Sequence, residues 1–197
     1  MTTNTTEPVD EFDPGPIAEP TVLNDWGAYI LPVILTVPIH KDGRGSFVVL
    51  GSDAPTRQTN LSTSYFNVIR GMHWQTGESA ITKHVRCIGG TILDVVVDMR
   101  EGSSTWGRWK SFTLAGGASS LLPEQQSLVV PKGFAHGFQA VSANVTVLYE
   151  QDGLWNKEDE RGFNPLDPEV GIGWEPSTVR HRLSEKDAGA PGISVFA

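Results

Sequence analysis

Two histidines have sequence surroundings suited to proton transfer. His73 lies in the stretch IRGMHWQ, which mixes basic, small and aromatic side chains and is therefore untypical of a plain core strand. His136 follows a Pro-x-Gly turn, which places it at the start of a strand. Because imidazole titrates near neutral pH, either residue could act as a general base. Taken singly, each is more often a hydrogen-bonded structural histidine than a catalyst.

Lys83 and Asp94 form a second candidate pair. Gly89-Gly90 separates two apolar runs and predicts a two-residue hairpin turn. In that register Lys83 and Asp94 become diagonal neighbours on one largely apolar face. Such a pair is either a structural ion pair or part of a polar site, because unpaired charges are costly to bury. A solvated, outward orientation is the third possibility.

The composition limits which functions and partners to expect. The 197 residues carry a formal net charge of −8, which argues against nucleic acid as the main partner. No stretch approaches the 18 or so consecutive apolar residues of a membrane span, so we expect no membrane association. The single cysteine, Cys87, excludes an intramolecular disulfide and is expected to be a buried, inert thiol. No secretory signal is visible at the N-terminus, so a cytoplasmic location is expected.

Most of the net negative charge lies near the N-terminus. No Lys or Arg precedes Lys41, whereas the first 40 residues hold six acidic residues and six of the 13 prolines. Such a segment cannot pack a hydrophobic core, so we predict an acidic, Pro-rich flexible tail over residues 1–24. Residues 25–197 are predicted to form a single domain. A tail that orders against a partner subunit is the alternative.

The domain itself has the pattern of an all-β protein. Short apolar runs rich in β-branched residues recur from residue 29 to residue 150, separated by Gly, Pro, Asn and Ser clusters. Only the last 40 or so residues offer short helical turns. The pattern predicts a jelly-roll β-barrel followed by a short helical or irregular C-terminal segment.

Segments distributed along the chain then resemble one family. They are DGRG at 42–45, QTN at 58–60, VIRGMHWQ at 68–75, KHVR at 83–86, DVVVDMREGS at 94–103, TWG at 105–107, VPKGFAHGF at 130–138, VLY at 147–149, ERG at 160–162, DP at 167–168 and LSEKDAGAP at 183–191. Their order and spacing resemble the dTDP-4-dehydrorhamnose 3,5-epimerases, a family of cupin-fold sugar-nucleotide epimerases. The resemblance covers about residues 33–191.

The resemblance implies four catalytic residues. His73 matches the general base, and Asp187 matches the carboxylate that orients it. Lys83 matches the lysine near the C4 carbonyl oxygen of the substrate, where Asp94 could hold its ammonium in place. Tyr149 matches the tyrosine that donates a proton from the opposite face of the sugar.

The resemblance also implies the substrate and how it is held. The substrate is a dTDP-linked 4-keto-6-deoxyhexose, inverted at C3, C5 or both by a homodimeric enzyme that needs no cofactor. Arg44 and Arg70 match diphosphate-binding arginines, and the segment around Arg44 is a candidate contact with the neighbouring subunit. The other implied substrate contacts are Gln58, Asn60, His136, Trp155, Glu160 and Lys186.

Three departures from the family pattern keep alternatives open. Val49 stands where the family usually has a Glu, and Trp155 stands where a second aromatic hydroxyl is common, which keeps a stacking surface but loses a phenolic donor. The acidic leader has no counterpart in the family. These departures are compatible with an epimerase that inverts only C3 or only C5. A cupin protein that binds the sugar nucleotide without catalysis is a further alternative.

The metal pattern of cupin barrels is incomplete in this chain. That pattern needs two histidines one residue apart followed by a Glu, and Gln75 stands where the second histidine would be. A catalytic metal normally needs about three protein ligands. We therefore predict a metal-free barrel, and a metal-dependent cupin oxygenase is the competing hypothesis.

Overall fold

The computed structural model describes residues 23–24, 32–42, 45–50, 56–117, 124–176 and 178–197. Its strands are β1 Leu23–Asn24, β2 Val33–Pro38, β3 His40–Asp42, β4 Gly45–Phe47, β5 Gln58–Ser64, β6 Ile69–Gln75, β7 Lys83–Asp98, β8 Trp109–Gly116, β9 Glu124–Val130, β10 Phe134–Ala140, β11 Val145–Gln151 and β12 Glu160–Gly162. Helix α1 spans Glu185–Ala188, and single 3₁₀ turns span Gly77–Ser79 and Ile193–Phe196. None of the helical segments in these ranges has the length and apolar character needed to cross a membrane.

Two antiparallel sheets share the long strand β7. The first sheet has the order β1-β2-β9-β7-β11-β5 and uses the first half of β7, up to Gly89. The second sheet has the order β12-β6-β10-β7-β8 and uses the second half, from Gly90 onward. Strands β3 and β4 form a separate hairpin. The predicted all-β, cupin-type fold with a short C-terminal helical segment is confirmed.

The predicted hairpin turn at Gly89-Gly90 is wrong, because β7 continues without a reversal through both residues. Gly89 and Gly90 lie inside the strand, where its pairing with β11 shifts by one residue. Gly90 has a φ of +81°, and a Cβ at this position would lie 2.6 Å from the hydroxyl of Ser142. The two glycines therefore bend and twist one strand from the first sheet into the second instead of reversing the chain.

The interior between the sheets is apolar and takes residues from both halves of β7. Val85 and Cys87 from the first half and Ile92 and Val96 from the second are all completely buried in one cluster. Inward positions are odd-numbered before the bulge and even-numbered after it. Because a bulge changes the alternation by one residue just as a two-residue turn would, the face predicted from the hairpin is correct although the hairpin is not.

A second apolar cluster lies on the outer face of the second sheet. Val95 and Val97 pack there against Phe163 and Ile193 of the C-terminal segment. These contacts bring the chain after β12 back across β6. That path places α1 beside β6, and with it the residues that complete the cavity described next.

The predicted tail, residues 1–24, lies outside the described residues except for Leu23 and Asn24. The backbone of these two residues pairs with Val33 and Ile34 of β2.

Candidate active site

A cavity of about 540 Å³ opens between the two sheets, a volume suited to a small-molecule ligand. It takes residues from β5, β6, β7, β10, β11 and β12 and from the segment that leads into α1. The lining residues are Asn60, Ser62, Val68, Ile69, Arg70, His73, Lys83, His136, Phe138, Tyr149, Gln151, Trp155, Glu160, Arg182, Leu183, Ser184, Lys186 and Asp187.

His73 and Asp187 form a dyad at the wall made by β6 and α1. The Nε2 atom of His73 lies 2.7 Å from the Oδ1 atom of Asp187, with His73 partly exposed and Asp187 buried. Ser184 is the N-cap of α1, and its hydroxyl accepts the backbone N–H of Asp187. Burial alone would raise the pKa of Asp187, but the hydrogen bond and charge of His73 outweigh it and hold that pKa below its ordinary value. The dyad fixes the ring orientation of His73.

A close approach of two glycines places His73 opposite His136. The two histidines are register partners on β6 and β10. Gly71 has a φ of +112°, and a Cβ there would lie 2.7 Å from both the Cα atom of Gly137 and the carbonyl oxygen of His136. Only glycine fits such an approach without a shift of the backbone. The Gly71 N–H also points to the Asp187 carboxylate, 3.5 Å away.

Lys83 begins β7 and extends into the cavity. Its ammonium donates a hydrogen bond to the backbone carbonyl of His73, 3.3 Å away. Burial lowers the pKa of Lys83 to about 8, although the negative charges of Glu160 and Asp94 raise it. At neutral pH the side chain is therefore mostly a cation, held close to the general base candidate.

Asp94 lies beneath the cavity and is completely buried. Its Oδ1 atom is 2.8 Å from the Nε2 atom of His136, which is itself 5% exposed. Burial raises the pKa of Asp94, while the charges of His136 and Lys83 act in the opposite direction. A solvated, outward orientation of Asp94 was one possibility from the sequence. The structure instead places Asp94 in the interior, at ion-pair distance from His136 and electrostatically coupled to Lys83.

Tyr149 projects from β11 of the first sheet, across the cavity from β6. Its hydroxyl lies 3.3 Å from the Ser62 hydroxyl, and its ring meets that of His136 edge-on with centroids 6.2 Å apart. Burial raises the pKa of Tyr149 well above its ordinary value. The phenol therefore stays protonated at neutral pH and can act there as a proton donor.

The cavity mouth carries charged side chains. Arg70 donates hydrogen bonds to the Ser64 hydroxyl and the Thr63 carbonyl, at 3.0 and 2.9 Å. The ammonium of Lys186 lies 2.6 Å from a carboxylate oxygen of Glu160. Burial would raise the pKa of Glu160, but the hydrogen bond and charge of Lys186 hold it below its ordinary value.

Most of the predicted site residues meet in this cavity, with three exceptions. Gln58 is not among the lining residues; its amide donates to the Asn60 side chain and accepts the Trp155 backbone N–H, both at 2.9 Å. Asp94 is completely buried and does not line the cavity either. Arg44 lies outside the described residues.

Several lining residues were not predicted from the sequence. Ser62 and Gln151 lie two residues from Asn60 and Tyr149, so strand alternation could have identified both. Arg182 had no signal beyond its place in a short basic stretch, because its position depends on how the C-terminal segment crosses β6.

Gln75, which stands at the incomplete metal pattern, has a structural role. Its amide donates to the Ser79 carbonyl at 3.1 Å, and its side-chain oxygen accepts the Asn156 backbone N–H at 2.6 Å. Across the described ranges, no three His, Cys, Asp or Glu side chains are grouped so as to hold a metal ion. The metal-free barrel remains a prediction.

The arrangement suits inversion of a carbon next to a carbonyl group. His73 on one sheet could remove a proton, and Lys83 could stabilise the negative charge that develops on the carbonyl oxygen. Tyr149 on the opposing sheet could return a proton to the other face.

Comparisons with known proteins agree with this chemistry. A sequence model of the dTDP-4-dehydrorhamnose 3,5-epimerase family matches residues 32–194. The dTDP-4-dehydrorhamnose 3,5-epimerase of Mycobacterium tuberculosis is 34% identical over 170 residues, which cover 81% of each chain. The dTDP-4-dehydrorhamnose 3-epimerase of Streptomyces niveus is 34% identical over 139 residues, which cover 71% of this chain and 64% of the relative. The crystal structure of dTDP-6-deoxy-D-glucose-3,5-epimerase from Legionella pneumophila Philadelphia 1, in complex with dTDP-4-keto-L-rhamnose, has a TM-score of 0.80 at 29% identity and covers 91% of this chain and 95% of its own.

Proposed function

Since the chain belongs to the dTDP-4-dehydrorhamnose 3,5-epimerase family, we propose that its cavity epimerises a dTDP-linked 4-keto-6-deoxyhexose by the acid–base chemistry of His73, Lys83 and Tyr149. The chain is an isomerase of deoxysugar biosynthesis. One observation supports the assignment of residues above all others: the His73–Asp187 dyad and the Tyr149 phenol come from opposing sheets and line the same cavity as the Lys83 ammonium.

The first step is removal of the proton from the carbon next to the C4 ketone. His73 takes this proton on a ring nitrogen and becomes an imidazolium, which the Asp187 carboxylate stabilises at 2.7 Å. Because the same hydrogen bond fixes the orientation of the ring, the base is held in place before the substrate arrives.

The second requirement is stabilisation of the enolate that this step creates. The negative charge develops on the C4 oxygen, where the Lys83 ammonium can donate a hydrogen bond. One positioned donor of this kind contributes about 3 kcal/mol in comparable oxyanion sites. The nearby Asp94 and Glu160 carboxylates raise the pKa of Lys83 and so keep it charged.

The last step delivers a proton to the opposite face of the planar enolate. Tyr149 is suited to this role because it lies on the opposing sheet and remains protonated at neutral pH. The proton leaves the phenol oxygen as the new C–H bond forms. Once product leaves, solvent reprotonates the phenolate and accepts the proton held by His73. Ser62, 3.3 Å from the phenol oxygen, can hydrogen-bond to the phenolate in the interval.

The nucleotide part of the substrate needs a stacking surface and cations. Trp155 is 50% exposed at the cavity and offers its indole face to the thymine ring. Arg70 and Arg44 supply guanidinium groups for the diphosphate, and the amide of Asn60 supplies a further polar contact.

The test is proton exchange followed by NMR in deuterated water. Wild-type protein incubated with dTDP-4-keto-6-deoxyglucose is expected to incorporate deuterium at C3, C5 or both, whereas His73→Ala is expected not to. His84→Gln is a matched control, since His84 neighbours Lys83 but does not line the cavity. Equal incorporation by wild type and His73→Ala would remove His73 from the mechanism.

The same spectra decide between the alternative functions. Trp155 in place of an aromatic hydroxyl, together with the similarity to a 3-epimerase, favours a single-centre enzyme as the second candidate. Exchange at both C3 and C5 would contradict it. A wild-type protein that binds dTDP without any exchange would be a binding protein, and stoichiometric iron or zinc in purified protein would support a metal-dependent cupin.

Two expectations about the whole protein also remain proposals. The family resemblance supports a homodimer in which the segment around Arg44 contacts the neighbouring subunit, and size-exclusion chromatography with light scattering measures the oligomeric state. A cytoplasmic location is likewise proposed, and cell fractionation tests it.

A further inference from the structure

Arg182 is a cation at the cavity that the mechanism above does not use. It lines the cavity together with Arg70, and its side chain is exposed to solvent. Resting on the proposed function, we propose that Arg182 binds the diphosphate of the sugar nucleotide together with Arg70, and thereby makes the cavity selective for nucleoside diphosphates over uncharged nucleosides.

The backbone of Arg182 is fixed next to β6. Its N–H donates to the Asn67 carbonyl at 3.0 Å, and its carbonyl accepts the Ile69 N–H at 2.9 Å, which makes a parallel bridge to Val68. Bridged segments lie about 4.8 Å apart, and Arg70 follows Val68 by two residues, at the start of β6. The two arginines therefore start from adjacent positions on one rim of the cavity.

The bridge itself rests on a buried polar residue. Asn67 is completely buried and has a φ of +63°. Its side-chain oxygen accepts hydrogen bonds from Gln139 and His181, at 2.9 and 2.8 Å, and its amide donates to the Val179 carbonyl at 2.9 Å. The segment that carries Arg182 is thus held from both sides, so truncation of the exposed Arg182 side chain leaves these contacts intact.

The charges around the cavity leave these two arginines available for an anion. The two cavity carboxylates are already engaged, Asp187 with His73 and Glu160 with Lys186. Within the described ranges, no carboxylate lies at ion-pair distance from Arg182 or Arg70, and Arg70 donates only to uncharged oxygens.

A local pair of cations matters because the protein as a whole is acidic. With a net charge of −8, the chain repels a dianionic ligand at long range. Guanidinium groups at one rim of the cavity can offset this repulsion and bind phosphate oxygens bidentately. Among the described residues of the cavity, Arg182 adds a second such group to that of Arg70.

The test is calorimetric binding of two probes, dTDP and thymidine, to the full chain. Arg182→Ala is expected to weaken dTDP binding by about tenfold to a hundredfold, the usual loss for a hydrogen bond to a charged group. Thymidine binding is expected to stay unchanged, and Arg182→Lys is expected to fall between wild type and Arg182→Ala. Arg180→Ala is the matched control, because Arg180 lies in the same basic stretch and is exposed but does not line the cavity.

Two results would overturn the inference. Equal dTDP affinities for Arg182→Ala and Arg180→Ala would show that Arg182 does not contact the diphosphate. Equal loss of dTDP and thymidine binding would show that Arg182 supports the shape of the cavity instead. Failure of the proposed function is separable, because wild-type protein would then fail to bind dTDP or to exchange substrate protons in deuterated water.

Discussion

Replacement of Asp94 by Asn tests whether a buried carboxylate controls the protonation of Lys83. Asp94 is completely buried, and its negative charge raises the pKa of Lys83, which burial has lowered to about 8. The substitution keeps the shape of the side chain and removes its charge. The pKa of Lys83 is therefore expected to fall further.

The size of the effect follows from the position of that pKa. Lys83 acts as a cation, so its contribution to activity is present below its pKa and lost as the pH rises through it. With a pKa of about 8, about nine-tenths of Lys83 is protonated at pH 7 and about half at pH 8. Removal of a neighbouring charge lowers a pKa by about one pH unit, which leaves about half and about a tenth protonated at the same two pH values.

The assay is the pH dependence of kcat/KM. Its alkaline limb is expected to move from about pH 8 to about pH 7 in Asp94→Asn, with activity reduced about twofold at pH 7 and about fivefold at pH 8. Ionisation of Tyr149 does not contribute to this alkaline limb, because burial raises the pKa of Tyr149 well above its ordinary value.

Asp98→Asn is the matched control. Asp98 is equally buried on the same strand, but its carboxylate binds Arg100, Ser103 and Thr105, and it does not line the cavity. Both substitutions are expected to lower thermal stability, and only Asp94→Asn is expected to move the limb. An alkaline limb that stays in place or moves upward would show that Asp94 carries no charge in the wild-type protein, and would refute the reasoning.

Three other perturbations have definite expected outcomes. Tyr149→Phe removes the proton donor but leaves the base, so deuterium is expected to enter the substrate with retained configuration while inversion disappears; unchanged inversion in the NMR spectrum would contradict this. Asp187→Asn is expected to lower kcat about a hundredfold or more, because His73 loses the carboxylate that orients it and stabilises its imidazolium. Gly71→Ala places a Cβ 2.7 Å from backbone atoms at a φ of +112°, and is expected to cost about 3 kcal/mol in chemical denaturation. Gly77→Ala is its control, since φ is +61° but no atom lies within 4 Å, and a cost of only about 1 kcal/mol is expected there.

The sequence predicted the strands and the inward face of β7 but not the path of the chain. Gly89-Gly90 has the composition of a hairpin turn, and alternation cannot distinguish a turn from a bulge because both exchange the inward and outward positions. Long-range strand pairing determines that Gly89-Gly90 forms a bulge and not a turn. Thr146 and Val147 of β11 pair on either side of the shift in register, and β8 pairs with the chain from Gly90 onward.

The sequence likewise identified most of the site residues but not the position of each one relative to the cavity. His73 and Lys83 were candidates from their sequence surroundings, whereas Tyr149 and Asp187 were identified through a family resemblance. The structure brings all four to one cavity. Gln58 was assigned to the substrate; it hydrogen-bonds to Asn60 and Trp155, which line the cavity, and its contact with the substrate stays a prediction. A side chain that positions a lining residue is chemically indistinguishable in sequence from one that lines the cavity itself, because both must form hydrogen bonds.

The environments of Lys83 and Tyr149 explain how one cavity can separate the two proton-transfer roles. Burial acts on both, lowering the pKa of the lysine and raising that of the tyrosine, because it disfavours the charged form of each. The Glu160 and Asp94 carboxylates raise the pKa of the lysine, and Asp94 also raises that of the tyrosine, so the negative charges keep both groups protonated. A neutral phenol on one face of the substrate and a cation at its carbonyl oxygen therefore coexist at neutral pH. Inversion requires that coexistence, because the enolate must be stabilised on oxygen while the new proton arrives from the side opposite His73.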